Sequence, residues 1–138
     1  MKNIEFKAVK KKYDETTAIQ ELNFSIKEGE RLVLLGPSGC GKTTTLRMIA
    51  GLEEISEGQL LMGGTVVNSV APGKRNIAMV FQNYALFPHL SVWENITFGL
   101  KIQKLTEQEM AKRAKEALEI LNLTGYENRK PKELSGGQ

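Results

Sequence analysis

The residues whose types and spacing point most clearly to chemistry form one short stretch that matches G-x-x-x-x-G-K-[ST] at every fixed position. In such a loop, glycines let the backbone curl so that successive N–H groups point at phosphate oxygens. The lysine supplies a cation for the terminal phosphates, and the hydroxyl after it is a Mg²⁺ ligand. The sequence therefore predicts a phosphate-binding site made of Gly36, Pro37, Ser38, Gly39, Cys40, Gly41, Lys42 and Thr43, with Thr44 next in the chain.

The elements on either side of this stretch are those that a phosphate-binding loop requires. The apolar segment Arg31 to Leu35 precedes it and is typical of a strand buried on both faces. After it, Leu46, Ile49 and Ala50 recur at helical spacing, so the predicted helix points its positive dipole end at the loop. The alternative is a Gly-rich turn that happens to precede Lys-Thr, and this context disfavours it.

Three more side chains each have two possible explanations, one chemical and one purely structural. Tyr13 is an aromatic in a polar connection, and by itself it is better explained by packing than by ligand stacking. Gln82 follows the apolar run Ile77 to Phe81, at the carboxyl end of a predicted buried parallel strand, where ligands of α/β sheets collect. On the sequence pattern alone, an ordinary strand-ending amide is the better explanation of Gln82. Cys40 is best explained as a small residue that fits a variable loop position.

The remaining elements are predicted from periodicity and turn chemistry. Apolar residues alternate in two half-buried strands, and two further strands meet at Gly63-Gly64, a two-residue hairpin turn. From Ser91 onward the pattern is helical, with two capping boxes, and Gly125 is predicted to end the second helix. The predicted strand residues are Ile4, Phe6, Ala8, Leu22, Phe24, Ile26, Leu60 to Met62 and Thr65 to Val67; the predicted caps are Ser91 with Glu94 and Thr106 with Glu109; the predicted helical stripe is Met110, Ala114, Ala117, Leu118 and Leu121.

Composition limits the classes of protein that remain. The chain has 138 residues, 41% hydrophobic content and a formal charge of +3, which indicates one domain and does not favour nucleic acid as a partner. The lysines at 10–12 are interpreted as a solvated face. The single cysteine predicts a cytoplasmic setting. The longest uncharged run, 76–93, contains too many polar residues to span a bilayer, so any membrane role is expected to be peripheral.

The order of the motifs resembles the ATP-binding subunit of an ABC transporter. The terminal Leu-Ser-Gly-Gly-Gln resembles the signature motif of that family, Gln82 its Q-loop glutamine, and Tyr13 the aromatic that stacks on adenine. The run from Met79 to His89 is similar to the importer branch that takes up sugars, glycerol phosphate or related solutes. The resemblance extends over the whole chain.

The resemblance implies cofactors, partners and site residues. ATP and Mg²⁺ are the expected cofactors, with Gln82 a ligand for Mg²⁺ or the attacking water, and a second ATP-binding subunit is expected to bind head to tail. Transmembrane permease subunits are expected to dock at Ala85, Leu86, Phe87 and Pro88, with an extracytoplasmic solute-binding protein as an indirect partner. The signature residues expected to contact the nucleotide on the opposite protomer are Ser135, Gly136, Gly137 and Gln138.

The implied fold is α/β: an incomplete P-loop NTPase core with an antiparallel β-subdomain, residues 1–90, and an α-helical subdomain, residues 91–138. Members of the family continue past the signature into an apolar strand ending in Asp-Glu and then a switch histidine. Here Asp14 is the only aspartate and His89 the only histidine, and neither lies in such a place. We therefore expect the amino-terminal part of a subunit, which binds nucleotide but does not turn it over alone.

Two functions of other classes stay open on the residues. A P-loop kinase of a small metabolite has the same phosphate loop, but it is expected to have an Arg-rich lid and no signature motif. The segment from Ser91 to Lys130 contains few arginines. A non-catalytic nucleotide-binding module is the third class, and a turnover assay beside a binding assay separates it from an enzyme.

Overall fold

The computed structural model describes residues 3–81 and 85–138, and these divide into two units, Met1–Met79 and Val80–Gln138. Each unit has its own hydrophobic cluster. We describe each by itself.

The first unit contains a four-stranded antiparallel sheet in the order β2-β1-β3-β4. The two long strands pair because their apolar residues alternate against polar neighbours, and the last two form the hairpin predicted at Gly63-Gly64, where both glycines have positive φ. These strand predictions are confirmed. The strands are β1 (Ile4–Tyr13), β2 (Thr16–Ile26), β3 (Glu57–Met62) and β4 (Thr65–Val66).

A β-bulge at Ala8 changes which residues of β1 are buried. Lys7 pairs with Gln59 of β3, but the next recorded pair is Lys10 with Glu57, so β1 contains one extra residue. Ala8 has φ +48 and is exposed, which corrects the prediction that it continues the buried alternation. After the bulge, Val9 and Lys11 are the buried positions.

Helix α1 (Lys42–Ala50) begins directly after the glycine loop, as predicted, and ends at Gly51 in a left-handed conformation. Met48 of α1 is fully buried with Val9 and Leu60 in the cluster above the sheet. Arg75 covers the carboxyl end of α1, where its guanidinium donates to the carbonyls of Met48 at 2.7 Å and Ile49 at 3.1 Å. Its burial lowers the pKa of Arg75. The helix end is therefore satisfied by a cation that complements its dipole.

The predicted strands at 31–35 and 77–81 are not strands in the described part of the chain. Val33, Leu35 and Val80 are 73%, 88% and 94% exposed, so the prediction that these segments lie inside a sheet is wrong for this chain. A parallel strand forms only against neighbours that supply its hydrogen bonds, and the four strands of the sheet pair with one another.

The second unit is helical. Ser91 is the N-cap of helix α2 (Val92–Ile102), and Thr106 is the N-cap of helix α3 (Glu107–Ile120). Both predicted capping boxes are present. Ala114 and Leu118 of the predicted stripe are buried, whereas Leu121 is exposed. The prediction that Gly125 ends α3 is wrong, because the helix ends at Ile120 with Leu121 as its C-cap. The cluster of this unit comprises Val92, Leu118 and Leu123 with Trp93, Ile96 and Leu134 against it.

Candidate functional site

The glycine loop of the first unit has the backbone conformation that its sequence requires. Gly39 and Gly41 have φ of +82° and +92°, which side chains with a Cβ rarely adopt. A Cβ at Gly41 would also lie 3.0 Å from the Ile19 side chain of β2, so this glycine lets the loop pass close to the sheet. The loop is thus fixed by packing at the point where α1 begins.

The start of α1 offers backbone donors that nothing in the described chain uses. Gly41 is the N-cap and has no capping side chain, and the first turn contains no acidic residue. Among the described residues, no acceptor is recorded for the N–H groups of Lys42, Thr43 and Thr44; the first helical bond runs from Thr45 to Gly41. These donors and the helix dipole favour an anion at this place.

Lys42 is held across its own loop. Its Nζ donates to the carbonyl oxygens of Gly36 at 2.8 Å and Pro37 at 2.7 Å, and its third contact is the Cys40 Sγ at 3.4 Å. A thiol is a weak acceptor, so an anionic oxygen is a better partner for that third N–H. The arrangement therefore presents a fixed cation with one replaceable contact beside free backbone donors. Together these groups fit a phosphate.

A Mg²⁺ ion is implied by the motif, and Thr43 is its predicted ligand. The Thr43 side chain is exposed at the first turn of α1. Among the described residues, no group of three His, Cys, Asp or Glu side chains is placed to hold a metal ion. Mg²⁺ takes oxygen ligands, so the chemistry of the exposed Thr43 hydroxyl fits it.

Tyr13 ends β1, in the same unit as the loop. The residue is 43% exposed, and the Lys11 Nζ lies 4.6 Å from the centroid of its ring. Lys11 in turn contacts Glu53 at 2.7 Å, and Glu53 lies 3.9 Å from the Nε of Arg47 on α1. The sequence does not predict a role for Lys11, because this residue lies in a lysine tract and only the bulge turns it inward. Its partner Glu53 is not predicted either.

The other predicted residues lie in the second unit or outside the described chain. Gln82 lies outside the described residues. Leu86 and Phe87 are exposed, and the Asn95 side chain of α2 bonds both the N–H and the carbonyl of Phe87. The residues at 135–138 form a turn in which Ser135 and Gln138 bond each other, from Ser135 N to the Gln138 side chain at 2.9 Å and from Gln138 N to Ser135 O at 3.0 Å.

Comparison with known proteins identifies the family. The family model described as ABC transporter matches residues 19–138. The trehalose/maltose import ATP-binding protein of Thermococcus litoralis is 54% identical over 134 residues, which cover 93% of this chain and 36% of that protein. The spermidine/putrescine import ATP-binding protein of Acidothermus cellulolyticus is 56% identical over 124 residues, covering 90% of this chain and 32% of that protein.

A solved structure agrees with these relatives. A dimeric ATP-binding cassette in a post-hydrolysis state, bound to ADP and Pi, matches with a TM-score of 0.85 and 34% identity, covering 98% of this chain and 64% of that one. The fold and the glycine loop define a P-loop nucleotide-binding domain. The chain belongs to the ABC transporter family, and the predicted resemblance to its importer branch is confirmed.

Family membership decides against the small-metabolite kinase that the loop alone left open. The chain spans about a third of the curated relatives it matches, 36% and 32% of the two named above. No helix in the described ranges, 3–81 and 85–138, is both long and apolar enough to cross a membrane.

Proposed function

We propose that the chain binds Mg-ATP as part of the ATP-binding subunit of a solute importer. The triphosphate lies in the loop Gly36 to Thr44, Thr43 supplies the protein hydroxyl to Mg²⁺, and adenine stacks on Tyr13. The observation that carries the proposal is the fixed Lys42 ammonium beside three unused backbone N–H groups. When bound, Mg²⁺ neutralises charge on the β- and γ-phosphates.

Calorimetry with Lys42→Ala tests the nucleotide site. A charge-assisted hydrogen bond is worth about 1.5–3 kcal/mol, so the variant should bind Mg-ATP about ten- to a hundredfold more weakly. Lys27→Ala removes an exposed lysine from a turn of the same unit and serves as the control. Equal affinity in the wild type and in Lys42→Ala would overturn the role of Lys42.

Base selectivity is expected to be modest. One aromatic ring offers stacking of about 1–3 kcal/mol without reading hydrogen-bond edges. GTP should therefore bind within about tenfold of ATP, because both purines stack. Strict selectivity for ATP would show that further groups read the base.

Residues 1–138 by themselves are proposed to bind ATP without turnover. In-line hydrolysis needs a carboxylate that fixes Mg²⁺ opposite Thr43 and a polar group that orients water. The only aspartate is Asp14, at the turn after β1, and Glu53 is already paired with Lys11. Steady-state phosphate release should show no Lys42-dependent rate. A clear rate that disappears in Lys42→Ala would refute this.

The proposed partners follow from the family. A second ATP-binding subunit binds head to tail so that Ser135 to Gln138 face its nucleotide, and the permease docks at Ala85 to Pro88. The partially exposed Leu86 and Phe87 side chains support this interface. The protein is proposed to lie on the inner face of the cell membrane, with the solute-binding protein on the other side. Relatives named for sugars and for polyamines match equally well, so the solute class is proposed as sugar-like on the Met79 to His89 run alone.

A further inference from the structure

The bulge in β1 places a lysine inside the first unit beside the proposed adenine platform. Strand alternation from Ile4 and Phe6 would bury positions 10 and 12. The extra residue at Ala8 shifts the alternation by one position, so that position 11 is buried instead. Lys11 is consequently 7% exposed, while Lys12 on the same strand is exposed. A buried ammonium is costly unless it is paired, so its contacts matter.

The Lys11 ammonium has three contacts, one of which is with the Tyr13 ring. It bonds the Glu53 carboxylate at 2.7 Å and the Glu54 carbonyl at 2.9 Å, and it lies 4.6 Å from the centre of the Tyr13 ring. The pKa of the Glu53 carboxyl is held below its usual value mainly by its hydrogen bond to Lys11, with a smaller contribution from the Tyr13 hydroxyl. The Lys11 ammonium therefore covers one face of the tyrosine ring.

Glu53 also connects this cluster to the helix that follows the phosphate loop. Its second oxygen lies 3.9 Å from the Nε of Arg47, which is in α1 five residues after Lys42. The carboxylate thus contacts a strand residue near the base platform and a residue in the last turn of the helix that begins with the phosphate donors.

We propose that Lys11 and Glu53 are positioning residues for adenine binding. Lys11 occupies one face of the Tyr13 ring, so the base stacks on the other, and Glu53 holds the platform at a fixed distance from α1. This inference rests on the proposed nucleotide site. A ring fixed before binding loses less freedom when the base stacks, and the cation draws π density from the face that meets the base. A buried ion pair that serves stability alone would have no such preference for the base.

Calorimetry with Mg-ATP and with inorganic tripolyphosphate, which has no base, separates a role in positioning the adenine platform from a purely stabilising role. Lys11→Met should weaken ATP binding about three- to tenfold and change tripolyphosphate binding less than twofold. Lys12→Met, on the same strand but outward, should change neither, and Lys11→Arg should restore ATP binding because it keeps a cation over the ring. An equal change for both ligands, or no change for either, would overturn the proposal.

Glu53→Gln provides a second test if Lys11→Met does not fold, as judged by its thermal melt. It keeps the size of the side chain and an acceptor for Lys11, and it should also weaken ATP selectively; an unchanged ATP affinity would contradict the proposal. Tyr13→Ala distinguishes this inference from the proposed site. If Tyr13→Ala leaves the ratio of the ATP affinity to the tripolyphosphate affinity unchanged, Tyr13 is not the adenine platform. If Tyr13→Ala lowers the ratio and the Lys11 and Glu53 variants do not, only this inference fails.

Discussion

Glu57 is the residue through which β3 neutralises the outward lysines of β1. Its two oxygens contact the Nζ of Lys12 at 2.6 Å and of Lys10 at 2.9 Å. The hydrogen bonds to Lys12 and Lys10 lower the pKa of Glu57 to about 2, and Glu57 raises the pKa of Lys10. Lys10 and Lys12 therefore share the Glu57 carboxylate, whereas Lys11 between them pairs with Glu53.

The lowered pKa predicts an acid-sensitive contribution to stability. Glu57 binds a proton less readily when the chain is folded, so its contribution is present above about pH 4.5 and is lost as the pH falls toward 2. The difference in melting temperature between the wild type and Glu57→Gln should therefore narrow over that range. Thermal melts at pH 7, 4.5, 3 and 2 measure it. Glu116→Gln controls for the loss of one charge, and a difference that stays constant would contradict the prediction.

At this scale, the sequence predicted the residues that belong to a contiguous motif. Lys42 and its loop were found because their chemistry depends on neighbours in the chain. Lys11 was interpreted as a solvated face, because strand alternation alone does not reveal a one-residue bulge. Glu53 was missed for a related reason: its main partner, Lys11, lies far from it along the chain.

Gly58 is where β3 accommodates the bulge of β1. It has φ +84, and a Cβ there would lie 2.6 Å from the Lys7 carbonyl oxygen and closer still to the carbonyl of Ala8. These are backbone atoms held by strand pairing, so they do not move without disturbing the register that buries Lys11.

Gly58→Ala should therefore destabilise the first unit strongly. Left-handed strain of about 1–2 kcal/mol and a backbone clash of about 1–3 kcal/mol together predict a loss of about 2–5 kcal/mol. Gly64→Ala is the matched control, because Gly64 has φ +79 with nothing within 4 Å of its Cβ, and it should lose only the strain. Urea titration measures both. An equal loss of stability in the two variants would contradict the clash between a Cβ at position 58 and the bulge backbone.

The elements that the sequence predicted correctly are those set by local chemistry. The hairpin depends on two glycines, and each capping box on two side chains three residues apart. The strands predicted at 31–35 and 77–81 depend instead on partners elsewhere, and apolar composition does not say whether partners are present. The end of α3 was misplaced because Asn122, not Gly125, adopts the first left-handed conformation after the helix.

At the scale of the whole chain, the exposed apolar segment at 31–35 is the feature that predicts self-association. Val33 and Leu35 precede the glycine loop and are exposed, and the N–H groups of 31–35 have no recorded acceptor within the described residues. Unpaired backbone next to apolar side chains favours pairing with another copy.

Residues 1–138 should consequently self-associate at micromolar concentration. The double variant Val33→Ser with Leu35→Ser removes the apolar side chains while keeping the backbone, and it should reduce association. Ile120→Ser with Leu121→Ser is the control, since these exposed side chains end a helix whose backbone is paired. Light scattering over a concentration series measures the mass. A wild-type chain that stays monomeric with a cooperative melt would show that the exposed segments do not pair, and an equal effect of both double variants would assign association to general surface hydrophobicity.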